Sequence, residues 1–380
     1  KRFYPAGEVT AQLVGFTDID DDGQEGMELA YDAWLTGVSG SRKVVKDRAG
    51  RVIKDIALIE SAHSGKTLRL SIDLRMQYSA YRALKAAVQK HQAKSGSVIV
   101  LDVETGEVLA MANQPSMNPN DRYNLQSSSV RNRAMTDRIE PGSTVKPFTI
   151  LAALESGQFD INSKIDTSPG YIKVANKIFE DSDDYGLLDL GGVLRKSSQV
   201  GTTKLALALN PDSTRELFAR MGFGESLGSG FPGETAGSLP AHRNWDPVTQ
   251  ATFAFGYGLS VSPLQLARAY AILASNGQRK DISLLAIEGP PESVKVADAE
   301  LVKQVRQMLH DASSDQGTGK RAMIEGYSVG GKTGTARKTK ATGGYDENRH
   351  MSVFAGLSPI DKPRLVTVVV IDEPSENVYY

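Results

Sequence analysis

Ser143 and Lys146 stand three residues apart in Glu140-Pro141-Gly142-Ser143-Thr144-Val145-Lys146-Pro147-Phe148, and no other serine in the chain has a lysine at that spacing. Pro141-Gly142 is a turn signal, so the pattern predicts a helix over Ser143–Glu155. Pro147 then falls in or near the first turn, where a missing N–H costs least. Residues i and i+3 share a helix face, which predicts that Lys146 Nζ reaches Ser143 Oγ. A serine hydroxyl becomes a nucleophile when a base takes its proton. Lysine is that base only when burial or a neighbouring cation keeps it neutral. Free N–H groups at a helix start would also serve an oxyanion. The same residues fit a helix-capping serine with a solvated lysine.

Two further stretches carry suitable groups. Lys196-Ser197-Ser198-Gln199-Val200-Gly201 offers a second hydroxyl, able to pass a proton, and an amide, able to hold a peptide backbone. A polar loop between helices is its plainer reading. Ser328-Val329-Gly330-Gly331-Lys332-Thr333-Gly334-Thr335-Ala336 alternates and is rich in glycine, as in a strand whose backbone is closely approached. Its lysine and threonines suit a carboxylate, and an outward N–H would complete an oxyanion hole. Gly326 to Thr333 also satisfies the phosphate-loop pattern GxxxxGK[ST]. That loop requires a strand before it and a long helix after it. Here a helical stretch, Ala299–Ala312, comes before, and Gly334–Gly344 has no apolar period.

The elements that must position these groups are legible in outline. Residues 1–66 are rich in Gly and Asp, with one short helix predicted over Glu25–Leu35. Strand-like alternation runs over Arg42–Ile59, broken by a turn at Arg48-Ala49-Gly50. A helix is predicted over Ser71–His91, then a hairpin of Val98–Val103 and Glu107–Ala112. Helices follow over Thr214–Met221, Pro263–Ser275 and Ala299–Ala312, with strands over Ser352–Leu357 and Leu365–Ile371. Strands at both ends with helices between predict an α+β domain whose sheet pairs the first hairpin with the last strands.

Composition narrows the chemistry. Of 380 residues, 44 are Lys or Arg and 45 are Asp or Glu, a net charge of −1 that makes no long-range case for nucleic acid and leaves only a local basic cleft open. There is no cysteine, so disulfides, thiolate metal sites and a cysteine nucleophile are excluded. The five histidines are scattered, with no metal-ligating spacing and no cofactor motif. The longest apolar run, near Leu365–Ile371, falls far short of the roughly 20 residues that span a bilayer. No signal peptide opens the chain.

Ser-x-x-Lys, then Ser-x-Gln in place of Ser-x-Asn, then Lys-Thr-Gly is the motif order of penicillin-binding proteins and serine β-lactamases. Met111–Pro119, Arg131-Asn132-Arg133-Ala134, Gly256–Ala267, Arg2–Glu8 and Gly37–Ile59 also resemble segments of class B penicillin-binding proteins, nearest the division-specific members of Gram-negative bacteria. The resemblance covers nearly the whole chain. It implies a transpeptidase domain over 67–380, with a central antiparallel sheet of about five strands and helices on both faces, and a partial non-catalytic pedestal over 1–66. It further implies that Ser143 attacks a D-Ala-D-Ala stem peptide of peptidoglycan, that Lys146 takes its proton, and that Ser197 relays a proton with Lys332 beside it. The N–H groups of Ser143 and Thr335 would form the oxyanion hole. Gln199, Thr333, Gly334, Thr335 and Arg337 would bind substrate. β-Lactams would acylate Ser143 and stay. Division-machinery membrane proteins, including a lipid II glycosyltransferase, would be partners on the periplasmic face of the inner membrane, with an N-terminal anchor outside this chain. A D,D-carboxypeptidase, a β-lactam sensor and a β-lactamase share the same motifs. Against a class A β-lactamase, Leu209-Asn210 has Ala206 where the deacylating glutamate would stand.

Overall fold

A computed structural model describes residues 2–121, 123, 125–241, 245–289, 291–340 and 343–375. Its centre is an antiparallel sheet of five strands: β1 (Ser95–Asp102), β2 (Val108–Gln114), β3 (Gly330–Thr339), β4 (Tyr345–Ser358) and β5 (Leu365–Asp372), in the order β3-β4-β5-β1-β2. The last strand joins the first hairpin, with Leu365 opposite Asp102 and Asp372 opposite Ser95. The sheet can be covered on both sides because its strands β1 and β5 are apolar on both faces. Val366, Val368, Val370, Ile99 and Leu101 enter the main core, while Val369, Ile371, Val98 and Val100 face a second cluster.

Helix α1 (Leu74–Lys90) covers that second cluster with Tyr81 and Leu84, and starts where Asp73 accepts from the N–H groups of Arg75 and Met76. The other helices of six or more residues contribute to the main core: α2 (Lys146–Glu155), α3 (Leu190–Arg195), α4 (Gln199–Ala208), α5 (Pro211–Arg220), α6 (Pro247–Ala254), α7 (Pro263–Ala274) and α8 (Ala299–Ala312). Helix α2 is buried on every side from Lys146 to Leu154, as expected of a helix with apolar residues all round. Phe148 packs edge-on against Phe218, Phe223 and Tyr270, with centroids 5.6–6.4 Å apart.

Several local expectations change. The stretch predicted as one helix over Glu25–Leu35 is two short helices, Gly26–Ala30 and Asp32–Leu35. Lys196–Gly201 is no loop throughout, because Ser198 caps α4 and the helix begins at Gln199. The phosphate-loop alternative fails: Gly330–Thr339 is one continuous strand paired with β4, so no helix follows the Gly-Lys-Thr. In the N-terminal region, Leu13 and Met27 pack into the main core, whereas the hairpin Ser41–Lys46 and Val52–Glu60 is exposed along most of its length. Among the described residues no helix is long and apolar enough to cross a membrane.

Candidate active site

The Ser143 turn is held from several directions. Gly142–Val145 form one turn of 3-10 helix, and the α-helix begins only at Lys146. Gly142 lies at φ +54° and donates its N–H to Gly256 O at 3.2 Å. A Cβ on Gly256 would lie 2.2 Å from Gly142 O, so only glycine permits this approach. Tyr270, fully buried, donates its hydroxyl to Thr144 O at 2.8 Å, and Thr144 Oγ1 donates to Pro141 O at 2.7 Å. Ser143 itself is half-buried and opens into a cleft of about 580 Å³.

Lys146 has no solvent exposure. Its Nζ donates to Ser197 O at 2.5 Å, and to Ser197 Oγ and Ser198 O at 3.3 Å each. The expected hydrogen bond to Ser143 Oγ is not formed. The carbonyls of 197 and 198 satisfy the amine instead, and catalytic hydrogen bonds often tighten only when substrate arrives. Burial pushes the Lys146 amine down to about 7, against the pull of the Asp181 carboxylate, which favours the charged form. Lys332 is also fully buried, donating to Thr333 O at 2.9 Å and Thr318 Oγ1 at 3.5 Å. Burial, and then the positive charge of Lys146, push it well below the usual lysine range.

Ser197 occupies the left-handed region at φ +55°. For a residue with a Cβ this costs roughly 1–2 kcal/mol. The turn it makes presents the carbonyls of both 197 and 198 to one amine. Immediately after it, Ser198 Oγ accepts from Gly201 N at 2.8 Å and donates to Asp181 Oδ2. Asp181 Oδ1 also accepts from Gln199 N at 2.5 Å and Val200 N at 3.2 Å. Gln199 is exposed and lines the cleft.

Strand β3 forms the opposite wall. Thr333 and Thr335 share a face, and Thr333 Oγ1 donates to Thr318 Oγ1 at 3.1 Å. A Cβ on Gly334 would lie 3.0 Å from Pro141 O and Thr144 Cγ2, which makes glycine the residue for this contact between strand and turn. Thr335 O lies 3.4 Å from where a Cβ on Gly142 would stand. The free edge of Thr335, which carries its N–H on the same side as its carbonyl, therefore borders the Ser143 turn.

Ser143, Ser197, Gln199, Thr333, Gly334 and Thr335 thus line one cleft, with Lys146 and Lys332 buried beneath it. Arg337 does not join them. It lines a neighbouring pocket of about 430 Å³ with Glu140 and Gly258. Three contributors escaped the sequence reading: Asp181, Thr318 and Tyr270. Each lies far along the chain from the group it touches and carries no motif of its own; Asp181 is one of four acidic residues in Glu180–Asp184.

Known proteins resemble this chain along its whole length. The penicillin-binding protein transpeptidase domain matches residues 96–380, and the penicillin-binding protein dimerisation domain matches residues 1–70. The chain is 41% identical to the probable peptidoglycan D,D-transpeptidase PbpC of Pseudomonas aeruginosa, over 100% of this chain and 67% of that protein. It is 43% identical to the peptidoglycan D,D-transpeptidase FtsI of Escherichia coli, over 100% of this chain and 64% of that protein. It therefore spans about two thirds of the length of these curated relatives. Penicillin-binding protein 3 of Mycobacterium tuberculosis, solved with aztreonam, superposes with a TM-score of 0.87 at 31% identity, covering 98% of this chain and 84% of that one. With a domain match over three quarters of its length and relatives above 40% identity along all of it, the chain belongs to the penicillin-binding protein transpeptidase family.

Proposed function

We propose that this chain is a serine D,D-transpeptidase that cross-links peptidoglycan stem peptides through an acyl-enzyme on Ser143. The observation that carries the reading is the buried amine of Lys146, brought to about 7 by loss of water, three residues after a serine that opens into the cleft. Neutral Lys146 takes the Ser143 proton as Oγ attacks the carbonyl between the two terminal D-alanines. The N–H groups of Ser143 and Thr335 receive the oxyanion. Ser197, 3.3 Å from Lys146 Nζ, returns a proton to the departing D-Ala nitrogen, with Lys332 as the buried amine of the opposite wall. Thr333 and Thr335 bind the substrate carboxylate, Gly334 keeps the strand close, and Gln199 holds the substrate amide. Arg337 acts from the neighbouring pocket on a more distant part of the ligand. An amine from a second stem peptide then breaks the ester, restoring Ser143 and forming the cross-link.

β-Lactams acylate the same serine. On this reading residues 1–66 are a non-catalytic pedestal and 67–380 the transpeptidase domain. The protein works at the periplasmic face of the inner membrane during division, through an anchor outside this chain, alongside division-machinery membrane proteins that include a lipid II glycosyltransferase. The test is a D-Ala-mimicking thioester donor with a D-amino acid acceptor. Aminolysis product that rises with acceptor and vanishes in Ser143→Ala supports the proposal. Hydrolysis alone, whatever the acceptor, would make the enzyme a carboxypeptidase, and fast penicillin turnover would make it a β-lactamase.

A further inference from the structure

Asp181 is a carboxylate that the mechanism above does not use. It follows the strand Lys177–Glu180 and precedes Leu187–Asp189, outside all three motifs. Yet it gathers three donors from consecutive residues: Ser198 Oγ, Gln199 N and Val200 N. Two are unpaired N–H groups at the start of α4, where the helix dipole also favours an anion. The third is the hydroxyl that caps the same helix. Immediately before this anchored segment lies the left-handed Ser197, and the carbonyls of 197 and 198 are what Lys146 Nζ holds.

We propose that Asp181 is a positioning residue for the acyl-transfer step, anchoring the Ser197–Ser198 corner against Lys146 and, by its charge, setting the pH at which Lys146 becomes a competent base. This rests on the proposed role of Lys146. The two effects are separable. The anchoring works through hydrogen bonds and governs how well the corner is placed. The charge works at a distance and governs the protonation of Lys146. Two titratable groups couple to that amine: Lys332 from β3, itself buried and pushed well below the usual lysine range, and the Asp181 carboxylate from the 181–186 segment. Burial favours neutral Lys146, whereas Asp181 opposes that by favouring the ammonium. Asp181 thus keeps the buried base from falling so low that it could no longer hold the serine proton. Glu180, Asp183 and Asp184, its acidic neighbours in sequence, are exposed to solvent.

The experiment is the second-order acylation constant of the chain with a penicillin from pH 5 to 9, in wild type, Asp181→Asn and Ser198→Ala. Asp181→Asn keeps an acceptor for the two N–H groups and loses the charge. Its acid limb is expected to move to lower pH by about one pH unit, the low end for removing an opposite charge near a titrating group. Ser198→Ala keeps the charge and loses one anchor, so its plateau is expected to fall several-fold with the limb unmoved. Asp181→Ser makes the charge measurement again, independently of how the asparagine variant folds. A limb that stays in place in Asp181→Asn and Asp181→Ser overturns the proposal, whatever happens to the plateau. Wild type that does not acylate at all would instead sink the proposed function, so the two failures are distinguishable.

Discussion

Acylation should switch on with a single acid limb near pH 7. An ordinary lysine titrating at about 10.5 is neutral in only about one molecule in 3,000 at pH 7. Burial brings Lys146 to about 7, so about half of the molecules then carry a competent base, a gain of roughly a thousand-fold. The perturbation is pH itself. Relative to a plateau above pH 8, the acylation constant should fall to about one half at pH 7, one tenth at pH 6 and one hundredth at pH 5. The assay is stopped-flow or quenched acylation by a penicillin whose own carboxylate stays ionised throughout. Folding at each pH is checked by circular dichroism, so that loss of rate is not loss of structure. A profile flat from pH 5.5 to 8.5, or a limb above pH 9, would refute the assignment of Lys146 as the base.

Other perturbations should read out the supports of the site. Gly334→Ala would place a methyl 3.0 Å from Pro141 O and Thr144 Cγ2. Overpacking of this kind costs about 1–3 kcal/mol, and acylation should fall at least about ten-fold as the strand leaves the turn; an unchanged rate would show that the contact is not needed. Tyr270→Phe leaves Thr144 O without its buried donor. This should destabilise the chain by about 1–3 kcal/mol in urea denaturation and lower the acylation rate, whereas a neutral result in both would contradict the pinning of the turn. Lys146→Met should be inactive and should also change how stability depends on pH. Between about pH 7 and the unfolded lysine value, the unfolded chain binds a proton that the native state refuses, so Lys146 makes stability rise with pH across that window. The variant should lose that rise, and denaturation midpoints with an unchanged slope would contradict the lowered Lys146.

The sheet was legible because strands β1 and β5 at its centre are apolar on both faces, leaving valine-rich runs near two ends of the chain. The Ser143 and Lys146 spacing equally fitted a helix-capping serine, and only the order of the three motifs singled the pair out. The direction of the Lys146 amine was not legible, because it depends on the Ser197 corner, 51 residues further along. Ser198 as a helix cap was hidden by the adjacent serine, since either could begin a helix and the left-handed Ser197 decides which does. Asp181, Thr318 and Tyr270 were out of reach for the same reason: each acts by a contact across the fold. Gly256 could be matched to family sequence, but only the 2.2 Å clearance to Gly142 O explains it. Arg337 shares the motif strand yet falls in the neighbouring pocket, because strand spacing carries it away from Ser143.

Intact-protein mass spectrometry with a penicillin, followed over time and with Ser143→Ala as control, tests the acyl-enzyme most directly. The expected result is a stable adduct of one drug mass, located on Ser143 by peptide mapping and absent from the variant. Folded wild-type protein that gains no adduct and leaves the drug intact, or an adduct that persists in Ser143→Ala, would contradict the account.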